Sequence, residues 1–318
     1  MTITHFDLQP WEKEFFENNL EMKQNFIHDS KIQNFLEEIK DVEILSVFIH
    51  TKVTKEIVDK LPNLKLVVTR STGFDHIDTE YCKSQNITVC NVPAYGSNTV
   101  AEHAFALLLA ISKQIPVLSE RTKKFDFSFK DKLGFDLAGK TIGIIGTGKI
   151  GKNAIAIAKG FGMKVVAHDI YEDAEFAKEN DFQYTGLDKL LGESDLLSLH
   201  MPKNEYTQKM MSLENIRKIK KGCVFINTSR GTLIDNKVLI QALDEGIFAY
   251  AGLDTMDGEE KMFAGEVSSD QKNLLSRTNV IYTPHSAFYT KEAVQRILQT
   301  TIENIEGFGA GEVLNRAG

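Results

Sequence analysis

The chain has 318 residues, of which 42% are hydrophobic and 25% charged, a composition that predicts a globular protein with room for two domains. Its net charge of -7 argues against a nucleic-acid partner, which would leave a basic stripe on the surface. The three cysteines are too scattered for a disulfide framework or a zinc site, and no metal site is expected among the eight dispersed histidines.

The N-terminal stretch MTITHFDLQPWEKEFF lacks the basic start and apolar core of a signal peptide, so no such leader is expected. No run approaches the ~18 apolar residues that a membrane span needs. The longest run, AFALLLAI from Ala104 to Ile111, has charged neighbours and predicts a buried helix. Together with cysteines that we expect to be free and buried, these features predict a cytoplasmic protein with no membrane partner.

Short β-branched runs alternate with helical stretches along the chain, a pattern typical of parallel α/β sheets. In the first third, strands are predicted near Ile44–Phe48, Leu66–Thr69 and Ile87–Asn91, with a helix through Asp78–Gln85. A long helix over Thr99–Ile115 then leads into the next part of the chain.

From Thr141 onwards the alternation becomes regular. Six strands are predicted here, at Thr141–Ile145, Lys164–Asp169, Leu196–His200, Val224–Thr228, Tyr250–Asp254 and Val280–Thr283. Their number matches a doubly wound dinucleotide-binding sheet. A further helix over Lys291–Ile305 is expected to return to the first domain.

These elements predict an α/β fold with two domains and a site in the cleft between them. A Rossmann-type doubly wound parallel sheet, residues 99–286, is expected to be inserted into a second, flavodoxin-like α/β substrate domain. The chain segments 1–98 and 287–318 would together form that substrate domain.

A glycine-rich loop follows the first strand of the regular series. The loop comprises Gly146, Thr147, Gly148, Lys149, Ile150 and Gly151. Gly146 would permit the tight turn, Gly148 the approach of a pyrophosphate, and Gly151 the packing of the next helix on the sheet. The N-terminus of that helix would offer free N–H groups to the phosphates. An ordinary glycine-rich turn is the alternative.

The second strand of the series ends in Asp169, which lies 23 positions after Gly146. This is close to the ~20 positions expected for an acid that binds the ribose of a dinucleotide. Asp169 could accept hydrogen bonds from both ribose hydroxyls and would repel a 2′-phosphate, and no arginine follows it. The sequence therefore predicts NAD rather than NADP, with a helix-capping role for Asp169 as the alternative.

Three potentially reactive side chains, Arg230, Glu259 and His285, follow separate predicted strands. An arginine can grip a carboxylate with two hydrogen bonds and polarise a keto oxygen. A histidine can give a proton to that oxygen or remove it, and a carboxylate beside the imidazole orients it and favours its charged form. Each residue alone has a plainer explanation, as a surface ion pair, a structural histidine or a solvated glutamate.

Seven segments in order resemble the D-isomer-specific 2-hydroxyacid dehydrogenase family. They are RSTGFDHID, NVPAYGSNTVAEHAFALLL, GIIGTGKIG, LHMP, NTSRGTLID, AGLDTMDGE and TPHSAFYT, and they span Arg70 to about Ala293. The resemblance implies an NAD-dependent enzyme that interconverts a small 2-keto acid and its D-2-hydroxy acid. It implies Arg230 as the substrate anchor, His285 as the acid/base and Glu259 as its partner. Within the family the chain is most similar to D-lactate dehydrogenases.

The resemblance also assigns further site residues. It implies that Tyr95 and Phe288 line the substrate pocket and that the backbone of Thr72 and Gly73 holds the substrate carboxylate. Bulky aromatics would favour a short side chain such as the methyl of pyruvate, although plain core packing is the alternative. Additional cofactor contacts are implied for Met201, Pro202, Thr207, Thr228, Ser229 and Asp254.

Several points stay open at this level. Because Glu259 and Glu260 are adjacent, either could partner His285. A homodimer through the Val100–Ile115 helix is implied, with burial of that helix inside one chain as the alternative. Other substrates in the family include hydroxypyruvate, glyoxylate, phosphoglycerate and branched 2-keto acids, and an NAD-sensing, corepressor-like binding protein is the rival from another class.

Overall fold

The computed structural model describes residues 1–318, and the chain divides into two compact units. Unit 1 comprises Met1–Gly96 together with Tyr289–Gly318, and unit 2 comprises Ser97–Phe288. The sequence places the domain boundaries after residues 98 and 286, two residues away from those of the units.

Unit 1 contains a five-stranded parallel sheet of strand order β2-β1-β3-β4-β5. Its strands are β1 (Thr2–Phe6), β2 (Lys23–Ile27), β3 (Ile44–Val47), β4 (Leu66–Thr69) and β5 (Thr88–Cys90). Its helices are α1 (Pro10–Asn19), α2 (Lys55–Val58), α3 (Thr79–Ser84) and the last helix of the chain, α13 (Lys291–Gly309), with a short 3-10 helix at Ile32–Asn34. The strand order is that of flavodoxin-like sheets, as predicted.

The strands of unit 1 that are covered by helices on both faces carry nearly continuous apolar sequences. All four residues of β3 (ILSV) and of β4 (LVVT) are buried. This is the pattern expected of a parallel sheet enclosed between helices, because both faces of each strand lie in the core. The β3 and β4 strands therefore hold the loops at their carboxyl ends on a rigid base.

Unit 2 contains a seven-stranded parallel sheet of strand order β12-β11-β10-β9-β6-β7-β8. Its strands are β6 (Thr141–Ile145), β7 (Lys164–His168), β8 (Gln183–Tyr184), β9 (Leu196–Leu199), β10 (Cys223–Asn227), β11 (Phe248–Leu253) and β12 (Val280–Tyr282). Its helices are α4 (Ser97–Ser112), α5 (Ile115–Lys123), α6 (Lys149–Gly160), α7 (Ala174–Glu179), α8 (Leu187–Glu193), α9 (Leu213–Ile216), α10 (Asn236–Asp244), α11 (Glu259–Phe263) and α12 (Ser269–Leu275), with a 3-10 helix at Gly231–Leu233.

The direction in which strands are added to this sheet reverses between β6 and β9. From β6 the chain steps outward to β7 and β8, and it then returns to β9 and continues on the other side to β12. Ligands of such sheets bind beyond the carboxyl ends of the strands at this switch point. The six strands predicted for this region are confirmed, and the two-residue strand β8 was not predicted.

The long helix α4 is confirmed, and its apolar side chains are used inside unit 2. Ala101, Leu108 and Ile111 are buried in a core cluster that also contains residues of α6 and β10. One apolar face of α4 is therefore buried within unit 2, and a dimer through this helix stays a prediction. No single helix is both long and apolar enough to cross a membrane, and only α4 and α5 taken together, across a bend of 61°, pass that test.

Candidate active site and cofactor site

The glycine loop begins where β6 ends, and two of its glycines are required by close backbone contacts. Gly146 adopts a left-handed φ of 94°, and a Cβ at this position would lie 2.6 Å from the carbonyl oxygen of His200. A Cβ on Gly151 would lie 2.0 Å from the carbonyl oxygen of Gly146. Any larger residue at either position would push the turn away from β9 or from the start of α6.

The middle glycine has no such packing reason. A Cβ on Gly148 would have no atom within 4 Å, so this backbone is open on the side that a pyrophosphate would approach. Gly148 also precedes α6 without a side-chain cap, which leaves the first N–H groups of the helix for a ligand. Of the remaining loop residues, Thr147 is buried, Lys149 is exposed and Ile150 packs against the core. The loop thus has the features of a diphosphate cradle.

Asp169 directly follows β7 and is tied to the glycine loop. Its Oδ2 accepts the Thr147 N–H at 2.5 Å and the Thr147 hydroxyl at 3.0 Å, and its Oδ1 accepts the Tyr171 N–H at 3.0 Å. A carboxylate has about four acceptor positions, so about one remains. In this arrangement Asp169 can accept a hydrogen bond from one ribose hydroxyl. The predicted bond from the second ribose hydroxyl requires the Thr147 hydroxyl proton to point elsewhere.

The ionisation of Asp169 follows from these contacts. Burial alone would raise its pKa, but the hydrogen bonds from the Tyr171 and Thr147 N–H groups and the Thr147 hydroxyl outweigh burial and hold the pKa below its ordinary value. The side chain therefore carries a full negative charge at neutral pH, which is the property that disfavours a cofactor with a 2′-phosphate.

The other predicted cofactor residues follow β9 and β10. Met201 is buried and Pro202 is exposed, and the Thr207 hydroxyl donates to the Pro202 carbonyl at 2.7 Å, which fixes the loop between them. The Ser229 hydroxyl donates at 2.7 Å to a carbonyl of β9. The hydroxyl of Thr228 is buried without a protein partner, so it is an unused polar group at the switch-point edge of the sheet.

Asp254, for which a cofactor contact is predicted, lies in a dense network of hydrogen bonds. Its carboxylate is fully buried, and it accepts the Thr283 hydroxyl at 2.5 Å and the N–H groups of Ser286 and Ala287 at 2.9 and 2.8 Å. His103 Nε2 lies 3.4 Å from its Oδ1. Burial raises the pKa of Asp254, but these hydrogen bonds outweigh that effect and lower it. Asp254 thus organises the loop that carries His285.

His285 is held in a defined orientation by its backbone and by Glu259. Its φ of 51° is left-handed, and its N–H donates to the carbonyls of Asp254 and Thr283, both at 2.9 Å. Its Nδ1 lies 2.7 Å from Glu259 Oε1. This contact leaves Nε2 as the ring atom that can reach a substrate.

Of the two adjacent glutamates, Glu259 is the partner of His285. Glu259 is itself fixed, because its second carboxylate oxygen accepts the Met256 N–H at 3.1 Å. Glu260 is exposed at the start of the same helix, α11. Of the two glutamates that the sequence left as candidates, the structure therefore places Glu259 in contact with His285.

Arg230 is the third residue after the carboxyl end of β10, and the sheet brings it to the same edge as the other two residues. Strands β10, β11 and β12 are parallel neighbours, and Arg230, Glu259 and His285 each follow the carboxyl end of one of them. The Arg230 Nη1 donates to the Ser229 carbonyl at 2.9 Å. A guanidinium, a carboxylate and an imidazole therefore share the edge at which such sheets bind ligands.

The predicted substrate residues of unit 1 lie on two linked segments. Asn91 Nδ2 donates to the Thr72 carbonyl at 2.7 Å, and the Ser71 hydroxyl donates to the Gly73 carbonyl at 2.7 Å. The N–H groups of Thr72 and Gly73 donate to no acceptor within unit 1. The half-buried Tyr95 receives a hydrogen bond at its carbonyl from Arg296 Nε. Phe288, at the end of unit 2, is half-buried.

Sequence reasoning missed two supporting residues of the site. His103 on α4 and Asn91 after β5 carry no local signal of function, because each acts through a residue distant in sequence. No cluster of three or more histidine, cysteine, aspartate or glutamate side chains suited to a metal ion is found.

A doubly wound sheet with a glycine cradle at its switch point, and with a histidine–carboxylate pair at the same edge, defines the class of nicotinamide-dependent dehydrogenases. Comparison with known proteins narrows this class. Residues 105–287 match the family model described as D-isomer specific 2-hydroxyacid dehydrogenase, NAD binding domain. The chain belongs to this family, and its cofactor is NAD.

Individual relatives agree with the assignment. A D-lactate dehydrogenase of Lactiplantibacillus plantarum is 33% identical over 97% of this chain and 96% of the relative. A glyoxylate reductase of Korarchaeum cryptofilum is 35% identical over 87% of this chain and 83% of the relative. The crystal structure of D-lactate dehydrogenase from Aquifex aeolicus, complexed with NAD and lactic acid, superposes with a TM-score of 0.90 at 36% identity, covering 98% and 96% of the two chains.

Proposed function

We propose that the protein is an NAD-dependent D-lactate dehydrogenase that interconverts pyruvate and D-lactate. The single observation that carries the catalytic part of this proposal is the 2.7 Å contact between His285 Nδ1 and Glu259 Oε1. His285 follows β12 and Glu259 follows β11, and these two strands lie to one side of β10, which precedes Arg230. The relatives named above support a small 2-keto acid as the substrate class.

In the reductive direction, each residue has a distinct role. Arg230 binds the substrate carboxylate through paired hydrogen bonds, and the free N–H groups of Thr72 and Gly73 are proposed to assist it. His285 Nε2 donates a proton to the carbonyl oxygen, while Glu259 holds the ring through Nδ1. NADH, when bound, supplies the hydride for the carbonyl carbon.

The proposed choice of pyruvate depends on Tyr95 and Phe288. Both side chains are bulky, half-buried aromatics. Their bulk would leave space only for a short apolar substrate side chain such as a methyl group. The similarity to a glyoxylate reductase favours glyoxylate as the second candidate substrate. Hydroxypyruvate, phosphoglycerate and branched 2-keto acids complete the set that the family resemblance suggests.

The test is NADH consumption, followed by absorbance, with pyruvate, glyoxylate, hydroxypyruvate and a branched 2-keto acid. We expect the highest kcat/KM with pyruvate and D-lactate as the product by chiral chromatography. Higher kcat/KM with another acid would replace pyruvate but keep the dehydrogenase. A protein that binds NADH, by fluorescence, yet oxidises it with no keto acid would instead be a binding protein of the corepressor kind.

The proposed enzyme acts as a homodimer in the cytoplasm. Three buried free cysteines fit a reducing compartment. The best candidate for the contact between two copies is a segment of unit 2 that we call the phenylalanine segment, residues 125–133. Phe125, Phe127, Phe129 and Leu133 are 85, 75, 77 and 94% exposed, and such a concentration of exposed apolar side chains marks an interaction surface.

A further inference from the structure

Tyr184 is connected to the cofactor-binding carboxylate by a chain of two hydroxyl groups. Its hydroxyl donates to Thr147 Oγ1 at 2.9 Å, and the Thr147 hydroxyl donates to Asp169 Oδ2 at 3.0 Å. Tyr184 lies in β8, the short strand that pairs with β7 and that sequence reasoning did not detect. The three residues thus link the outer edge of the sheet to the glycine loop.

The direction of this chain follows from counting protons. A threonine hydroxyl has a single proton, and the Asp169 carboxylate has none to give, so the Thr147 proton must point at Asp169. The Thr147 oxygen then has lone pairs free to accept the Tyr184 proton. Hydroxyl groups arranged in this way polarise one another, so each bond strengthens the next.

The first member of the chain is held firmly. The Tyr184 ring stands at 66° to the ring of Phe182, with centroids 5.2 Å apart, and it packs against a buried core cluster. Thr147 is only 4% exposed. These contacts hold both side chains in place, so Tyr184 supports the orientation of Asp169 through Thr147.

We propose that Tyr184, acting through Thr147, is a positioning residue for Asp169 and a second determinant of the preference for NAD over NADP. A carboxylate discriminates against a 2′-phosphate only if its side chain cannot rotate away from the phosphate. A fixed carboxylate is therefore the repulsive element that specificity for NAD requires. The proposal rests on the proposed role of Asp169 at the ribose.

Removing the Tyr184 hydroxyl should loosen this arrangement without removing the ring. In Tyr184→Phe the Thr147 hydroxyl loses its donor and Asp169 gains freedom to rotate. The loss of one neutral hydrogen bond corresponds to about a three- to tenfold weaker binding of NADH. Binding of NADPH should weaken less or improve, so the ratio of the two dissociation constants should fall.

The experiment is a fluorescence titration of the full chain with NADH and with NADPH, in the absence of substrate. The variants are Tyr184→Phe, Thr147→Val and the double variant, with Tyr250→Phe on β11 of the same sheet as the matched control. We expect a lower NADPH/NADH ratio of dissociation constants in both single variants and no further fall in the double variant, because the two hydroxyls act in series. The control should match the parent.

Additive effects of the two substitutions, or an unchanged ratio in Tyr184→Phe, would overturn the proposal. Asp169→Ala separates this failure from failure of the ribose assignment. If Asp169→Ala relaxes the ratio while Tyr184→Phe does not, only the role of Tyr184 is wrong. If Asp169→Ala also keeps the parent ratio, the assignment of Asp169 to the ribose is wrong and the proposal falls with it.

Discussion

The imidazole of His285 and the carboxylate of Glu259 form the proposed proton-transfer pair of unit 2. The carboxylate contacts Nδ1 at 2.7 Å, so the proton that moves in the proposed reaction is the one on Nε2. The left-handed backbone at His285, with φ 51°, is unusual for a residue other than glycine. Such local strain is found where a side chain must be aimed, and here two hydrogen bonds of the His285 N–H maintain it.

Replacing Glu259 by Gln should lower turnover. The amide can turn an N–H group toward Nδ1, so the ring is no longer held with Nε2 free for the substrate, and kcat for keto-acid reduction should fall about tenfold or more while the dissociation constant for NADH changes little. NADH consumption and a fluorescence titration with NADH measure the two constants. Glu260→Gln, which removes an exposed charge one residue away, is the matched control and should keep the parent kcat. Equal kcat in all three proteins would exclude Glu259 from the proposed proton step.

His200, a buried residue beside the glycine loop, should make the protein sensitive to acid. Burial lowers its pKa from 6.5 to about 4. Above pH 6.5 the ring is neutral in both states. Between pH 6.5 and about 4 the unfolded chain takes up a proton that the folded chain does not, so the free energy of unfolding falls as the pH falls.

At pH 5 the contribution of this one group amounts to a loss of about 2 kcal/mol relative to pH 7. Urea unfolding at the two pH values, in the parent and in His200→Gln, measures it. The variant should lose less stability than the parent between the same two pH values. A variant with the same loss would assign the acid sensitivity to other groups, among them His5, whose pKa burial lowers to about 3.

At the level of elements, the ends of β11 and β12 are joined by the carboxylate of Asp254. It accepts hydrogen bonds from the Thr283 hydroxyl and from the backbone of Ser286 and Ala287. These donors come from the loop on which His285 lies, so the charge of Asp254 helps to shape that loop. A buried carboxylate with this many donors is costly to neutralise.

The substitution Asp254→Asn should therefore affect stability and turnover together. The new amide group places a donor against existing donors, and we expect a loss of about 2–4 kcal/mol in unfolding free energy. Displacement of His285 should lower kcat at least tenfold while the dissociation constant for NADH changes little. Asp188→Asn, which removes an exposed charge that pairs with Lys218, is the control and should cost under about 1 kcal/mol. A large loss of NADH affinity at unchanged kcat would instead support a direct cofactor role.

The predictability of the elements depends on how strongly each one is buried. Strand β10 (CVFIN) is buried throughout and was predicted to within one residue. Strand β1 (TITHF) was missed because it places Thr4 and His5, both fully buried, among apolar neighbours. Strand β2 (KQNFI) has no fully buried residue and lies at the sheet edge, and its sequence therefore has no apolar run to detect.

The candidate site shows the same division between local and distant information. The glycine loop and Asp169 were predictable because a strand, a turn and a helix define them within one short segment. The hydrogen bonds of Asp254 to Thr283 and of Tyr184 to Thr147 were not, since these partners are at least 29 positions away and only the folded chain brings them close. Thus residues proposed to bind ligands can be predicted from motifs, whereas the hydrogen bonds that hold such residues in place require coordinates.

On the scale of the whole molecule, charge and surface have separate consequences. The net charge of -7 repels an anionic acid at long range, so binding depends on a local cation, and Arg230 is the residue proposed for it. The phenylalanine segment is the other feature at this scale. Its apolar side chains contrast with α4, whose apolar face is already buried within unit 2. Self-association of two copies would remove the exposed side chains from water.

The double substitution Phe127→Ser and Phe129→Ser should therefore weaken the proposed dimer. Both side chains are more than 70% exposed, so the change removes apolar surface without creating a cavity in the folded chain. By light scattering after size-exclusion chromatography, the parent should have twice the 35.7 kDa of one chain, and the double variant should approach the single-chain mass on dilution. Leu275→Ser, which changes an apolar side chain that is 44% exposed on α12, is the control and should have the same mass as the parent at each dilution. If the parent has the mass of a single chain, the protein is not a dimer. If the double variant dissociates no more readily than the parent, the contact between the two copies lies elsewhere.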